Sequence, residues 1–259
     1  MRNIGLKTLL VAITLLISSA SSPAPIRTFT VVIDAGHGGH DPGTKGKKAR
    51  EKDIALKIAL KLGAYIEKNL AEVKVIYTRK NDRYLALDER ADIANKNKAD
   101  LFICIHANAN PSVRAYGTET FVMGPSKDDG NFEIAKRENS VILLDENHEE
   151  RYEGFDPSSP ESYILFSLTQ SAYQESSLKF AQKVEEQFKN KVGRVSRGVK
   201  QAGFMVLWRT TMPSVLIETG FLSYPKEEDF LISDKGQDLI ASGIYRALKE
   251  YKAQLESVN

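Results

Sequence analysis

Short apolar runs alternate along the chain with stretches of helical periodicity. Phe29 to Ile33 is apolar and β-branched, which by length and composition predicts a buried strand. It ends in Asp34-Ala35-Gly36-His37-Gly38-Gly39, where the backbone must turn sharply. Glu51 opens a helix in which Ile54, Ile58, Leu62 and Ile66 recur at helical spacing and Leu56, Ala59, Tyr65 and Leu70 widen the face. Val73 to Tyr77 predicts a second strand, Asp88 to Lys98 a second helix, and Leu101 to Ile105 a third, continuously apolar strand. This order implies an α/β fold: a mostly parallel sheet covered by helices on both faces. Thr118 to Met123 reads as a further strand.

The pattern then changes. Residues 126–170 are polar and charge-rich, with helical potential confined to Phe132 to Leu144, and read as an inserted excursion without a core of its own. A long helix is predicted through Leu168, Ala172, Leu178, Ala181, Val184 and Phe188, followed by a connection rich in Gly and Arg. The apolar run Val215-Leu216-Ile217 ends at Glu218, and a helix from Gln237 to about Leu255 closes the unit. With 259 residues, 42% of them hydrophobic, the chain suits one sizeable domain, placed over residues 27–255.

At the start, Arg2 and Lys7 flank a short apolar core, Thr8 to Ile17, followed by small residues. That is the layout of a signal peptide, residues 1–20, with cleavage after Ala20. The apolar core is about half the roughly 20 residues of a membrane-spanning helix, so the mature chain is expected to have no stable span. The formal net charge is +2 and falls to zero without Arg2 and Lys7, which gives no electrostatic pull toward nucleic acid. Cys104, the single cysteine, lies inside an apolar run and reads as a small core residue, not a nucleophile.

Candidate chemistry collects at strand ends, where open parallel sheets bind ligands. His37 follows the first strand, His106 follows Ile105, Glu218 ends the Val215–Ile217 run, and Glu51 starts the helix after the first strand. Two imidazoles and one carboxylate are a common catalytic zinc set that leaves a position for water, and a further carboxylate is then needed to move the proton. Taken singly, each residue has a plainer reading: a turn with a surface histidine, a histidine at a strand end, a carboxylate favoured by a helix dipole, a strand-end acid. Their convergence favours a metallohydrolase, with His37, Glu51 and His106 as zinc ligands and Glu218 as the catalytic carboxylate. His40 reads as a rim residue and His148 as a surface residue of the excursion.

The combination resembles the zinc-dependent N-acetylmuramoyl-L-alanine amidases of the bacterial cell wall. The matching stretches are Val32-Ile33-Asp34-Ala35-Gly36-His37-Gly38-Gly39, Glu51-Lys52-Asp53-Ile54-Ala55-Leu56, Thr78-Arg79 with Asp82, Leu87, Arg90 and Ala94-Asn95, Ile105-His106-Ala107-Asn108-Ala109, and Pro213 to Leu222. They run in the family's order from about Phe29 to Leu248. The resemblance implies one zinc ion on His37, Glu51 and His106, catalysis by Glu218, and cleavage of the amide between N-acetylmuramic acid and the L-alanine of the stem peptide, in cell separation or wall turnover. Together with the signal peptide it suits export, most simply to a periplasm and otherwise to the wall or the medium.

Members of the family that act in division carry an inserted helix that covers the zinc until a partner withdraws it. Residues 126–170 occupy the matching place, so Glu138 is a candidate autoinhibitory ligand and an activator protein a candidate partner; a substrate-binding or merely decorative loop is the other reading. Asn108, beside the metal loop, is a candidate for orienting substrate, and Arg90 is expected to pair with Asp82 and fix the loop. A wall-sugar deacetylase would use the same metal set but release acetate, and a non-catalytic wall-binding protein would bind without turnover.

Overall fold

The computed structural model describes residues 28–112, 114–167 and 172–258. The predicted signal segment, and Leu168 of the predicted long helix, lie outside the described residues. Six strands form one sheet in the order β2-β1-β3-β6-β4-β5: β1 (Phe29–Ala35), β2 (Val73–Tyr77), β3 (Leu101–Asn108), β4 (Thr118–Met123), β5 (Ser196–Ala202) and β6 (Ser214–Phe221). Every neighbouring pair is parallel except β4 with β6, so the sheet is mostly parallel, as the alternation of elements predicts.

Side chains alternate across the strands and define two cores. On one face Val31, Ile33, Ile103, Ile105, Val215 and Ile217 meet α1 (Glu51–Asn69), α6 (Gln174–Gln187) and α9 (Asp234–Val258). The periodic residues Ile54, Ile58, Leu62 and Ile66 all point into this core. Each such buried side chain contributes roughly 1.5–3 kcal/mol relative to exposure. On the other face Val32, Phe102, Cys104, Phe121 and Leu216 meet α2 (Leu87–Lys96) and α7 (Met205–Trp208).

The 126–170 excursion has no separate core, but it packs into that of the domain. It folds into α3 (Asp129–Asn139), a 3-10 turn (Ser140–Leu144), α4 (His148–Arg151) and α5 (Pro160–Ser167), and it sends Ala135, Ile142, Tyr152, Phe155, Tyr163 and Phe166 into the second core. Its apolar residues fall in short runs separated by charged stretches and give no long periodic signal. The Gly/Arg-rich connection contains β5, an edge strand that is only half buried and therefore polar in composition. The predicted long helix begins at Gln174 and leaves Ala172 in a turn. A short α8 (Pro225–Ile232) also precedes α9.

Candidate metal centre

Strand register brings the candidate residues together. β3 and β6 run further than their apolar cores suggest, so His106 and Glu218 lie within strands as direct partners. Ala35 pairs with Ile105, which sets the loop carrying His37 beside His106. Glu51 is the first residue of α1, where the helix dipole favours a negative charge. It is fully buried; Oε1 accepts from the amide of Ala107 at 2.9 Å and Oε2 from that of Thr44 at 2.8 Å.

One ligand atom from each of His37, Glu51, His106 and Glu138 lies within 4.8 Å of the others, all four residues buried. Glu51 Oε1 is 3.2 Å from His37 Nε2 and 2.9 Å from His106 Nδ1. Glu138 Oε2 is 3.3 Å from His37 Nε2 and 3.2 Å from His106 Nδ1. His37 Nε2 and Glu138 Oε2 nonetheless have no hydrogen-bond partner although they are buried. Close approach of donor atoms without hydrogen-bond geometry is the arrangement expected around a cation, and two nitrogens with two carboxylate oxygens fit zinc. Charge agrees: burial disfavours the charged imidazolium of His37, yet the Glu51 charge and contacts with Asp41 and Glu138 lift its pKa well above the ordinary histidine value. For His106, burial is likewise outweighed, by Cys104 and Glu138. The site is built to hold positive charge.

The loop between β1 and α1 is fixed by residues outside the expected metal set. His37 has a left-handed φ of 59°, sparsely populated for a side chain of that size. Arg90 and Arg79 hold it through its carbonyls. Arg90 Nη2 donates to the carbonyl of His37 at 2.9 Å, and Arg79 Nη2 donates to those of Gly36 at 2.7 Å and Lys52 at 2.8 Å. The sequence-based expectation that Arg90 pairs with Asp82 is corrected: the ion pair of Arg90 is with Asp34, at 3.0 Å in the floor of the site. Asp82 instead takes Lys52, at 2.7 Å, and the amide of Gly39, also at 2.7 Å. Asp41 Oδ2 sits 2.7 Å from His37 Nδ1 and turns Nε2 toward the cluster, the usual carboxylate support of a ligating histidine. A carboxylate four residues after His37 in the same tight loop was the available signal for it.

Glu218 is fully buried and neither carboxylate oxygen has a hydrogen-bond partner. Burial, with the charges of Glu138 and Glu51, raises its pKa well above the ordinary carboxylate value, as befits a proton acceptor working near neutrality. Arg137 Nη2 comes within 3.9 Å of Glu218 Oε1, 2.9 Å of Glu138 Oε1 and 2.9 Å of Asn108 Oδ1. Asn108 is buried and its Nδ2 is 3.4 Å from Glu119 Oε2. Cys104 donates to Asp34 Oδ2 at 3.0 Å, and burial pushes its thiol up to about 12, so it is no nucleophile. His40 is exposed and lies 4.1 Å from the Tyr84 ring, while His148 begins α4; both are away from the cluster.

Residues 31–250 match the family model described as N-acetylmuramoyl-L-alanine amidase. The chain is 35% identical over 238 residues to N-acetylmuramoyl-L-alanine amidase AmiC of Escherichia coli O6:H1, covering 88% of this chain and 54% of AmiC, so it spans about half the length of that relative. Among solved structures it is similar to the N-acetylmuramoyl-L-alanine amidase of Clostridium difficile 630, with TM-score 0.66, 30% identity, and coverage of 87% of this chain and 97% of that one. It is also similar to the CwlD amidase of Clostridioides difficile, solved in complex with the GerS lipoprotein, with TM-score 0.64, 28% identity, and coverage of 87% and 98%.

Proposed function

The chain belongs to the N-acetylmuramoyl-L-alanine amidase family of peptidoglycan hydrolases, and from that premise we propose that His37, Glu51 and His106 hold one zinc ion, that Glu218 is the catalytic carboxylate, and that Glu138 masks the site. The observation that carries the reading is the buried donor cluster with Glu218 as the strand partner of His106. When bound, the metal supplies Lewis acidity toward water and the scissile carbonyl. Glu218 accepts the proton of the attacking water and delivers it to the nitrogen leaving on L-alanine. Asn108 orients the substrate beside it. Asp41, Arg79 and Arg90 keep the His37 loop in place.

Glu138 completes the donor set from α3, and Arg137 next to it covers Glu218 and Asn108. Substrate therefore reaches the centre only when α3 moves. A protein partner acting on the 126–170 insertion would supply that motion, for which binding the open form a few kcal/mol more tightly suffices. Leu143 and Leu144, each 56% exposed on the turn after α3, offer it an apolar hold, and the CwlD–GerS complex is a precedent for such a pairing. We place the mature enzyme outside the cytoplasm, most simply in a periplasm, in cell separation or wall turnover. Among the described residues no helix is long and apolar enough to cross a membrane.

The test is mass spectrometry of soluble products from purified peptidoglycan treated with the zinc-loaded mature chain, its Glu138→Gln variant, and Glu138→Gln combined with Glu218→Ala. Intact stem peptides beginning at L-alanine, absent from the double variant, are the expected result. Released acetate would assign a deacetylase, and wall binding with no product from any of the three a non-catalytic protein.

A further inference from the structure

The metal ligands occupy only one end of a line of side chains. His106 pairs with Glu218 across β3 and β6, and Glu218 pairs with Glu119 across β6 and β4. Direct partners on adjacent strands point to the same face. On β5 the register slips: Thr118 pairs with Ser196 and Thr120 with Val199, so Arg197 and Gly198 together oppose Glu119. Bulges of this kind re-aim a side chain. Here Arg197 is ion-paired to the buried carboxylate of Glu119, and Lys200 Nζ reaches the same oxygen at 3.0 Å. Their charges also lie over aromatic rings, Arg197 at 5.3 Å from Phe221 and Lys200 at 5.8 Å from Phe121. Two fixed cations share one carboxylate, leaving a net positive charge at this end of the row.

These two cations line an open cleft of about 930 Å³ with Glu119, Phe221, Ile134 and Arg137; Asp128, Asp129 and Glu133 at the α3 end line it too, so Arg197, Lys200 and Arg137 are its points of positive charge among four carboxylates. A second cleft, of about 290 Å³, lies on the opposite side of Arg137 and Glu138. Its lining from the body of the domain is His37, Asp41, Gly43 and Thr44, which bring no lysine or arginine. Arg137 borders both clefts, and its neighbour Glu138 and His37 of the donor cluster line the smaller one.

The substrate of an N-acetylmuramoyl-L-alanine amidase is asymmetric in charge about the scissile bond. Its N-acetylated sugar strand is uncharged, whereas the peptide on the other side of the scissile amide carries free carboxylates. We propose that Arg197 and Lys200 form the subsite for a carboxylate of the stem peptide, so that substrate lies across the sheet edge with peptide toward β5 and sugar toward the Thr44 side. Reach agrees: β6 to β5 is two strand spacings, roughly 10 Å, and an extended peptide covers about 3.3–3.6 Å per residue. The carboxylate held is then the one on the second or third residue from the cleaved bond. Glu119 is a positioning residue that aims both cations and steadies Asn108.

This inference rests on the amidase reading and is tested apart from it. The larger cleft is open with α3 in place, so binding needs no unmasking. The probe is the tripeptide L-Ala-γ-D-Glu-L-Lys, titrated calorimetrically into the full mature chain, against the same peptide with both carboxylates amidated. The free acid should bind about tenfold tighter or more, the scale of a charge-assisted hydrogen bond. Arg197→Gln with Lys200→Gln should erase that preference, while Arg197→Lys with Lys200→Arg should keep most of it; because the glutamine pair leaves the buried Glu119 without its counter-charges it should melt lower, and binding is read well below that melting temperature. Equal binding of the two peptides, no binding, or equal loss for both in the glutamine variant would overturn the subsite. Release of stem peptides from peptidoglycan by Glu138→Gln reports on the amidase reading alone. Selective binding without such release would keep an acidic-peptide site and remove the amidase.

Discussion

Glu138 Oε2 stands 3.3 Å from His37 Nε2, a contact between the inserted α3 and the loop after β1. The carboxylate reaches across the cleft to complete a donor set otherwise built on the edge of the sheet. Glu138→Gln leaves the fold of α3 intact, since Glu138 is near its end and Asn139 still donates to the carbonyl of Gly203 at 2.7 Å. It should retain zinc and release stem peptides at least about tenfold faster, as loss of more than 1.4 kcal/mol of masking would give. Zinc retention with no gain in rate, measured by product release from peptidoglycan, would leave Glu138 outside regulation.

The three ligands on the sheet edge are expected to behave differently from Glu218. His37→Ala, His106→Ala and Glu51→Gln should each lose bound zinc, read by elemental analysis of the purified protein. Glu218→Ala should keep it and still lose turnover by about two to four orders of magnitude, the usual contribution of a positioned acid–base group. Because metal binds the native state, chelation of the wild-type chain should also lower its melting temperature. Full zinc content in His37→Ala would break the assignment.

Gly36 is required by contact as much as by chain path. A Cβ built there would lie 2.4 Å from His106 Nε2, closer than packed atoms tolerate. Gly36→Ala must therefore push the His106 ring, and its zinc affinity should fall by about 10–100-fold, the range seen when the support of a ligand is disturbed. A competition titration against a chromophoric chelator measures this. Unchanged affinity would mean that the ring can shift without leaving the metal.

Much of this centre was legible in the sequence because the relevant signals are local. The apolar runs of β1 and β3 end at His37 and His106, and Glu51 stands at the first turn of a helix whose apolar spacing is regular. Glu218 follows the most apolar part of β6. What escaped reading depends on tertiary partners. Arg79 and Arg90 act on backbone carbonyls, which leave no mark on the residues that own them. β5 has the composition of a connection because an edge strand need not be apolar, so the sequence alone does not place Arg197 and Lys200 beside Glu119. The insertion's packing is not legible because Phe155, Tyr163 and Phe166 lie far apart among polar residues, yet they and Trp208 form a chain of ring contacts.

Glu185 on α6 shows a carboxylate held against its preference. It accepts hydrogen bonds from Thr118 at 3.0 Å, Thr120 at 2.7 Å and Ser196 at 2.5 Å, tying α6 to β4 and β5. Burial still prevails and raises its pKa. A raised carboxylate pKa contributes stability below the unfolded value that is lost as pH rises through the folded one. The stability of Glu185→Gln relative to wild type should therefore improve from pH 4 toward pH 7 in urea titrations. A difference independent of pH would show that the three hydroxyls fully compensate the charge.

Asp34 should titrate stability with the opposite sign. It is fully buried beneath the metal loop, paired with Arg90 at 3.0 Å and bonded by Thr78 Oγ1 at 2.5 Å. Burial opposes its charge, but Arg90, Cys104 and Thr78 outweigh it and hold its pKa below the ordinary 3.8. A depressed carboxylate pKa contributes stability above the unfolded value that is lost as pH falls through the folded one. Asp34→Asn leaves the Arg90 guanidinium buried without its counter-charge, which costs about 3–5 kcal/mol when one partner of such a pair is removed. Urea denaturation should show that full difference at pH 7 and a smaller one below the unfolded pKa, where Asp34 of the unfolded wild-type chain takes up a proton while the folded one is still ionised. The same difference at pH 7 and at pH 3 would show that packing, not the ion pair with Arg90, makes Asp34 necessary.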